Sequence, residues 1–147
     1  MSTRPGSVLF ACTWNSIRSP MAGALAKRLY GTRMFIESVG VRRGELDPFA
    51  VEVMDEIGIA IDKHRPRSFE DLEDSSYDVI ITLSPEAQHH AVEMTRTMAC
   101  SVEYWPVADP SDVEGSRDRR LDAYRAVRDA LEERIKQRFG PVAGPVV

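Results

Sequence analysis

The sequence predicts a single α/β domain, a four-stranded parallel sheet with helices on both faces. Three observations carry this. Short apolar runs alternate with helix-periodic segments along the chain, the pattern of strand–helix–strand units joined by right-handed crossovers. At 147 residues the length fits one domain. A hydrophobic fraction of 43% and a charged fraction of 29% belong to a chain that buries a core of its own.

The elements follow in order. Residues 7–11 (Ser-Val-Leu-Phe-Ala) are too few for a helix and are set off by Pro5-Gly6, so they read as a buried strand. The polar loop from Cys12 leads to Ser19-Pro20, read as N-cap and first helical residue. Met21, Leu25 and Leu29 then recur at helical spacing, and Gly31 stops the helix. Residues 34–39 form the second strand. Asp47-Pro48 opens a second helix that turns Val51, Met54 and Ile57 inward and closes at Gly58. A short helical turn is expected over 68–72 and a third strand over 77–83. Ser84-Pro85 then starts a helix running to about Thr97. The fourth strand, 101–105, ends at Pro106, and Leu121, Tyr124, Val127, Leu131 and Ile135 mark a long amphipathic helix. The domain is thus 1–147 with its core over about 7–138, and the Gly/Pro-punctuated tail 140–147 is expected to be loose. Such a three-layer arrangement, flavodoxin-like or Rossmann-like, binds ligands beyond the carboxyl ends of its strands, where strand order reverses. That singles out the loops 12–19 and 107–112.

Composition removes several classes of function. The longest apolar runs are about five residues, against the roughly 20 of a membrane span. No apolar stretch of signal-peptide length occurs near the N-terminus, so the expected location is cytoplasmic. A net charge of −4 argues against nucleic acid or anionic lipid as main partner. Cys12 and Cys100 read as free thiols rather than a disulfide framework, with Cys100 a small core residue at the start of the fourth strand. His64, His89 and His90 lack metal-ligand spacing, so neither metal nor cofactor is expected; His89 and His90 read as helix surface. A nucleotide-binding loop is excluded because 12–19 contains no glycine and no G-x4-G-K-[ST] occurs.

The first of the two loops carries chemistry. Cys12-Thr-Trp-Asn-Ser-Ile-Arg18-Ser19 sets a cysteine at the end of a buried strand and an arginine at the start of a helix. Backbone amides of such a loop can converge on one point, reinforced by the positive end of the helix. The thiolate, the nucleophilic form of cysteine, is favoured by such a field. Arg18 adds a planar fork for two oxygens of a tetrahedral oxyanion, and Ser19 can donate a hydrogen bond to the sulfur.

From Val8-Leu-Phe-Ala-Cys12 through Arg18-Ser-Pro-Met-Ala22 the chain resembles the low-molecular-weight protein tyrosine phosphatases, whose loop reads C-x5-R-S-P. Ser38-Val-Gly40, Asp47-Pro48, Gly58-Ile59, His64-Arg65, Tyr77-Asp-Val-Ile-Ile81 and Asp109-Pro110 continue the likeness in the family's order. The resemblance implies hydrolysis of phosphomonoesters, phosphotyrosine in protein or a related phospho-residue, through a covalent phosphocysteine. Cys12 would attack while Thr13, Trp14, Asn15, Ser16, Ile17, Arg18 and Ser19 hold the phosphoryl group. Asn15 would brace the loop, and Asp109 would act as acid and then base. It implies no cofactor, and as partners a phosphorylated protein or small phosphate ester, with inorganic phosphate and other oxyanions as ligands.

Five positions bear on how far the likeness extends. Trp14 stands where glycine is common, which requires either an ordinary backbone there or a distorted loop. Ile17 replaces a frequent second cysteine, so no protective disulfide with Cys12 can form. Ser111 and Asp112 follow Asp-Pro where eukaryotic members carry tyrosines, leaving Trp14 or Phe49 as candidate aromatic wall. Ser16 puts a small polar group on the pocket wall. Two other readings compete. One is an arsenate reductase, which here would need an external thiol, because residues 83–98 contain no cysteine. The other is a non-catalytic phosphate-binding module, ranked lower because nucleophile, arginine and acid are all present. Arg42, Arg43, Lys63, Arg65 and Arg67 are a candidate face for acidic or phosphorylated peptides, against the commoner reading of a solvated surface.

Overall fold

In the computed structural model, which describes residues 4–73 and 76–142, four strands and four α-helices alternate. They are β1 (Ser7–Cys12), α1 (Arg18–Tyr30), β2 (Phe35–Gly40), α2 (Pro48–Asp55), β3 (Val79–Thr82), α3 (Pro85–Met94), β4 (Ser101–Tyr104) and α4 (Arg117–Phe139). Short 3-10 turns occupy Phe69–Asp71 and Pro110–Asp112. All strand pairings are parallel, in the order β2-β1-β3-β4, with Val8 opposite Ile36 on one side and Val79 on the other. The reversal of strand order falls between β1 and β3, so the loops after all four strands gather at one edge of the sheet. Of the expected tail, 143–147 lie outside the described residues.

Alternation along the strands sorts the core into two layers. Val8, Phe10, Val79 and Ile81 face α1, α2 and α4, joined by Met21, Leu25, Met54, Leu121, Tyr124, Leu131 and Ile135. Leu9, Ala11 and Ile80 face α3 through Ala87 and Ala91. Each fully buried large side chain contributes about 1.5–3 kcal/mol. Ile135, with no exposed surface, would cost about 2–5 kcal/mol on truncation to alanine.

The structure corrects several boundaries. Ser19 does not cap α1. The helix starts at Arg18 with Ile17 in the cap position and no side-chain cap bond, because the Ser19 hydroxyl is used at the site described below. On α2, Asp47 caps as expected, its Oδ1 accepting from Phe49 N at 2.8 Å. The deeply buried residues there are Ala50, Val53 and Met54, while Val51 and Ile57 are half-buried beside the core. Helix α3 ends at Met94 rather than Thr97, and its cap Ser84 accepts from Ala87 N. In α4, Arg117 and Arg120 lie in the first turn, capped by Ser116.

The periodicity of α4 missed Arg128, a buried cation bonded to Val53 O at 2.7 Å and Glu56 Oε1 at 2.9 Å. Glu56 also receives Arg125. Its carboxyl is held down at about 2, first by the Arg125 hydrogen bond and also by Arg128. This cluster fastens the end of α2 to α4.

Candidate active site

The loop leaving β1 is built by what lies beneath it. Beyond β2 the chain runs alongside, and its N–H groups take the loop's carbonyls in turn. Val41 N donates to Cys12 O (3.0 Å), Arg42 N to Thr13 O (2.9 Å), Gly44 N to Trp14 O (2.9 Å) and Asp47 N to Ser16 O (3.2 Å). No described peptide is cis, and across a trans peptide the N–H lies opposite the carbonyl. The amides of Thr13, Trp14, Asn15 and Ile17 therefore turn away from that segment. Such close approach needs glycine: a Cβ on Gly40 would sit 2.6 Å from Asn15 N, and one on Gly44 would sit 2.5 Å from Ser16 Oγ.

Asn15 makes the loop's sharp bend. It is the one non-glycine residue with positive φ among those described, at 55°, a conformation asparagine tolerates better than most residues. Its side chain is fully buried and fully used. Nδ2 donates to Ser19 Oγ (2.7 Å) and Ser38 Oγ (3.1 Å), and Oδ1 accepts from Arg67 N (3.0 Å). His64 Nε2 lies 2.9 Å from the same Oδ1, and since that oxygen only accepts, Nε2 carries the proton. Burial, seconded by the charges of Arg67 and Lys27, lowers the His64 pKa and keeps the ring neutral.

Cys12 is 2% exposed, and its sulfur lies 2.9 Å from Ser19 Oγ. That hydroxyl accepts from Asn15 and donates to Val39 O at 3.1 Å, and toward Cys12 Sγ it can accept from a thiol or donate to a thiolate. A negative sulfur would draw its proton. Thr13 Oγ1 donates to Ser84 Oγ (3.0 Å), tying the loop to the start of α3.

The loop after β4 is delivered by Trp105, buried edge-on against Phe10 with ring centroids 6.1 Å apart. Trp105 N and Val107 N extend the ladder to Thr82 O and Leu83 O. Arg18 Nη1 donates to Val107 O (2.9 Å), and Nη2 lies 3.9 Å from Asp109 Oδ2. Asp109 Oδ1 accepts from the Ser111 amide (2.9 Å) and hydroxyl (2.6 Å). Asp47 joins the halves from below, capping α2 with one oxygen and accepting Tyr124 Oη with the other (2.8 Å). Burial, then Asp47, raises the Tyr124 pKa and keeps the phenol neutral.

Cys12, Trp14, Ser16, Ile17, Arg18 and Asp109 together line a concavity of about 20 Å³, room for one water-sized body. A wider groove outside it runs past Trp14, Ser84, Glu86, Asp109 and Asp112. The larger hollow beside Lys27, Lys63 and His64 contains no cysteine, so the thiol chemistry points to the small one.

All the site residues named from sequence come together here. Trp14 has an ordinary backbone; it is 47% exposed at the rim, with the Arg42 guanidinium 5.4 Å from its ring. Ser16 Oγ reaches only the Trp14 carbonyl, at 3.4 Å. Phe49 packs edge-on against Tyr124 and under Arg120 instead of lining the concavity. Of the proposed basic face, Arg42 pairs with Glu86, Arg43 with Asp71 and Arg67 with Glu37. These residues serve ion pairs of their own. Cys100 precedes β4, at the edge opposite the site, partly buried, where burial raises its pKa. His90 stacks on Phe69, with centroids 4.4 Å apart. Sequence reasoning missed Ser38, Gly44, the Arg67 amide and the function of His64; two glycines within five residues after a strand were the available signal for the clamp.

Among the described residues no three His, Cys, Asp or Glu side chains are grouped to hold a metal ion, and no helix is long and apolar enough to cross a membrane. Fold and site thus place a buried cysteine, an arginine and a carboxyl together at the switch point of a parallel α/β sheet. Residues 7–143 match the low molecular weight phosphotyrosine protein phosphatase family, and the chain belongs to it. An arsenate reductase of Bacillus licheniformis is 33% identical over 131 residues, 89% of this chain and 93% of that protein. The structure of a YwlE mutant from Bacillus subtilis superposes with a TM-score of 0.75 at 27% identity, covering 90% of this chain and 95% of that one. An arsenate reductase in its phosphate-binding state gives a TM-score of 0.70 at 27% identity, covering 93% and 98%.

Proposed function

We propose that this protein is a cysteine-dependent phosphatase that hydrolyses phosphomonoesters, a phosphorylated protein residue or a related ester, without metal or cofactor. Cys12 attacks phosphorus. The amides from Thr13 to Arg18 and the Arg18 guanidinium hold the equatorial oxygens, with Asn15 and Ser19 keeping loop and sulfur in place. Asp109 protonates the leaving oxygen and then takes the proton of the water that cleaves the thiophosphate. The observation that carries this reading is the position of Asp109 Oδ2. A carboxyl from the loop after β4 stands 3.9 Å from Arg18, on the wall of the concavity that holds Cys12. Binding an oxyanion at sulfur needs no such proton donor; expelling an alkoxide or phenoxide does, as would the loss of hydroxide from arsenate, so the carboxyl argues for a reaction at Cys12 over binding alone.

A second reading has its own support. The curated relatives are named arsenate reductases, at up to 33% identity. This chain has only two cysteines, and Cys100 is at the far edge of the sheet, so reduction here would take its second thiol from solution.

The deciding experiment is hydrolysis of an aryl phosphate without metal or thiol, with Cys12→Ser alongside. Expected is turnover that vanishes in the variant and is blocked by vanadate. A folded wild type that hydrolyses nothing but consumes arsenate when glutathione or mycothiol is added would establish the second reading instead.

A further inference from the structure

The mechanism requires that the proton of Asp109 sit on the oxygen facing the concavity, and nothing in the Asp-Pro motif alone decides which oxygen that is. The two oxygens differ sharply in their surroundings. Oδ1 accepts from the Ser111 amide at 2.9 Å and from the Ser111 hydroxyl at 2.6 Å, while Oδ2 faces Arg18 Nη2 at 3.9 Å. A carboxyl oxygen has two lone pairs, and two donors occupy both of those on Oδ1. With the hydroxyl donating, a proton on Oδ1 would require that hydroxyl to turn from donor to acceptor or the amide to let go.

We infer that Ser111 is a positioning residue for the proton transfer: its hydroxyl and amide fill Oδ1 and so assign the transferable proton to Oδ2. This rests on the phosphatase reading and deepens it. As the Cys12 S–P bond forms and the ester P–O bond breaks, the Oδ2 proton passes to the departing oxygen. Asp109 is left ionised, still held through Oδ1 and free at Oδ2 to accept a proton from water. The amide half of the arrangement is a common turn after Asp-Pro. The hydroxyl half depends on the serine, which stands where the family's eukaryotic members carry a tyrosine.

In Ser111→Ala one lone pair of Oδ1 is released, so the proton can occupy the oxygen turned away from the ester and the carboxyl loses a restraint. Loss of one such hydrogen bond corresponds to about three- to tenfold in rate, below the roughly 10²–10⁴ of general acid catalysis as a whole. The effect must depend on the leaving group. A nitrophenolate leaves with little help, whereas a phenolate or alkoxide needs the proton.

The test is kcat/KM, which reports the steps up to loss of the leaving group, for a series of aryl phosphates from nitro-substituted to unsubstituted phenyl. Wild type, Ser111→Ala, Ser111→Thr and Asp109→Ala are compared, with thermal melting of each as a folding control. Expected is a steeper dependence on leaving-group basicity in Ser111→Ala, a loss of about three- to tenfold for the phenyl ester but little for the nitrophenyl ester, and wild-type behaviour in Ser111→Thr. Equal loss across the series would make Ser111 a shaper of the loop only, and no loss would leave it without a part; either overturns the proposal. A wild type inactive on every ester defeats the phosphatase reading itself, and the role of Ser111 falls with it.

Discussion

Replacing Gly40 by alanine tests the idea that the segment after β2 moulds the catalytic loop. The added Cβ would lie 2.6 Å from Asn15 N, 2.6 Å from Arg42 O and 2.8 Å from the Trp14 carbonyl carbon. All three are backbone atoms, so no side chain can rotate away, and the loop must lift from its clamp. Overpacking costs about 1–3 kcal/mol, and the upper end applies where only backbone can yield. At roughly 2–4 °C per kcal/mol for a chain near this size, the melting temperature falls by about 6–12 °C. Because the displaced atoms include an amide of that loop, a shift approaching 1 Å would also cost on the order of 10²-fold in catalysis. Gly23→Ala serves as comparison: its Cβ meets only the Ser38 side chain, Cβ at 3.4 Å and Oγ at 3.7 Å, and alanine is favoured in a helix by about 0.8–1.0 kcal/mol. Calorimetry and vanadate inhibition measured on both variants decide the matter. A Gly40→Ala protein that melts and binds vanadate like wild type would refute the clamp.

Other outcomes follow from the charges. Glu56 has its carboxyl lowered from 4.5 to about 2 by Arg125 and Arg128, so its contribution to stability is complete above about pH 4.5 and disappears as the pH falls toward 2. Urea titrations of wild type and Glu56→Gln should accordingly show a gap at pH 6 that closes as the pH is lowered. His64 titrates below its ordinary value of 6.5 because it is buried. The unfolded chain therefore takes up a proton first, and stability declines as the pH drops through 6.5. In His64→Gln that part of the pH dependence should be missing, while a slope unchanged from wild type would mean the imidazole is not the group responsible.

The strands were legible because their apolar runs are short and bounded by glycine, proline or polar clusters, and Asp47 and Ser84 were legible as caps because each precedes a proline. Ser19 misled for the same reason: it has the look of a cap before Pro20, yet its hydroxyl is worth more against Cys12 and Asn15 than against a backbone amide. Arg128 was invisible because helical periodicity treats an arginine as surface, and it is Val53 O, Glu56 and the neighbouring Asp129 that make its burial tolerable. Within the site, Cys12, Arg18 and Asp109 could be read from motif and loop position. The partners of Asn15 could not, since Ser38, His64 and Arg67 reach it from 23, 49 and 52 residues away, and no local pattern records such distances.

The placement of the two tryptophans gives the protein a pair of separable optical probes. Trp105 is sealed at 3% exposure between Phe10 and the Arg134 guanidinium, and Trp14 stands 47% exposed on the rim of the concavity. Emission from the first is expected to be blue-shifted and to red-shift when the sheet comes apart. Emission from the second is expected to lie closer to that of a wetted indole, adjacent to whatever Cys12 and Arg18 hold. A denaturant titration followed at short wavelength and an oxyanion titration followed at long wavelength therefore read different events in one unlabelled sample.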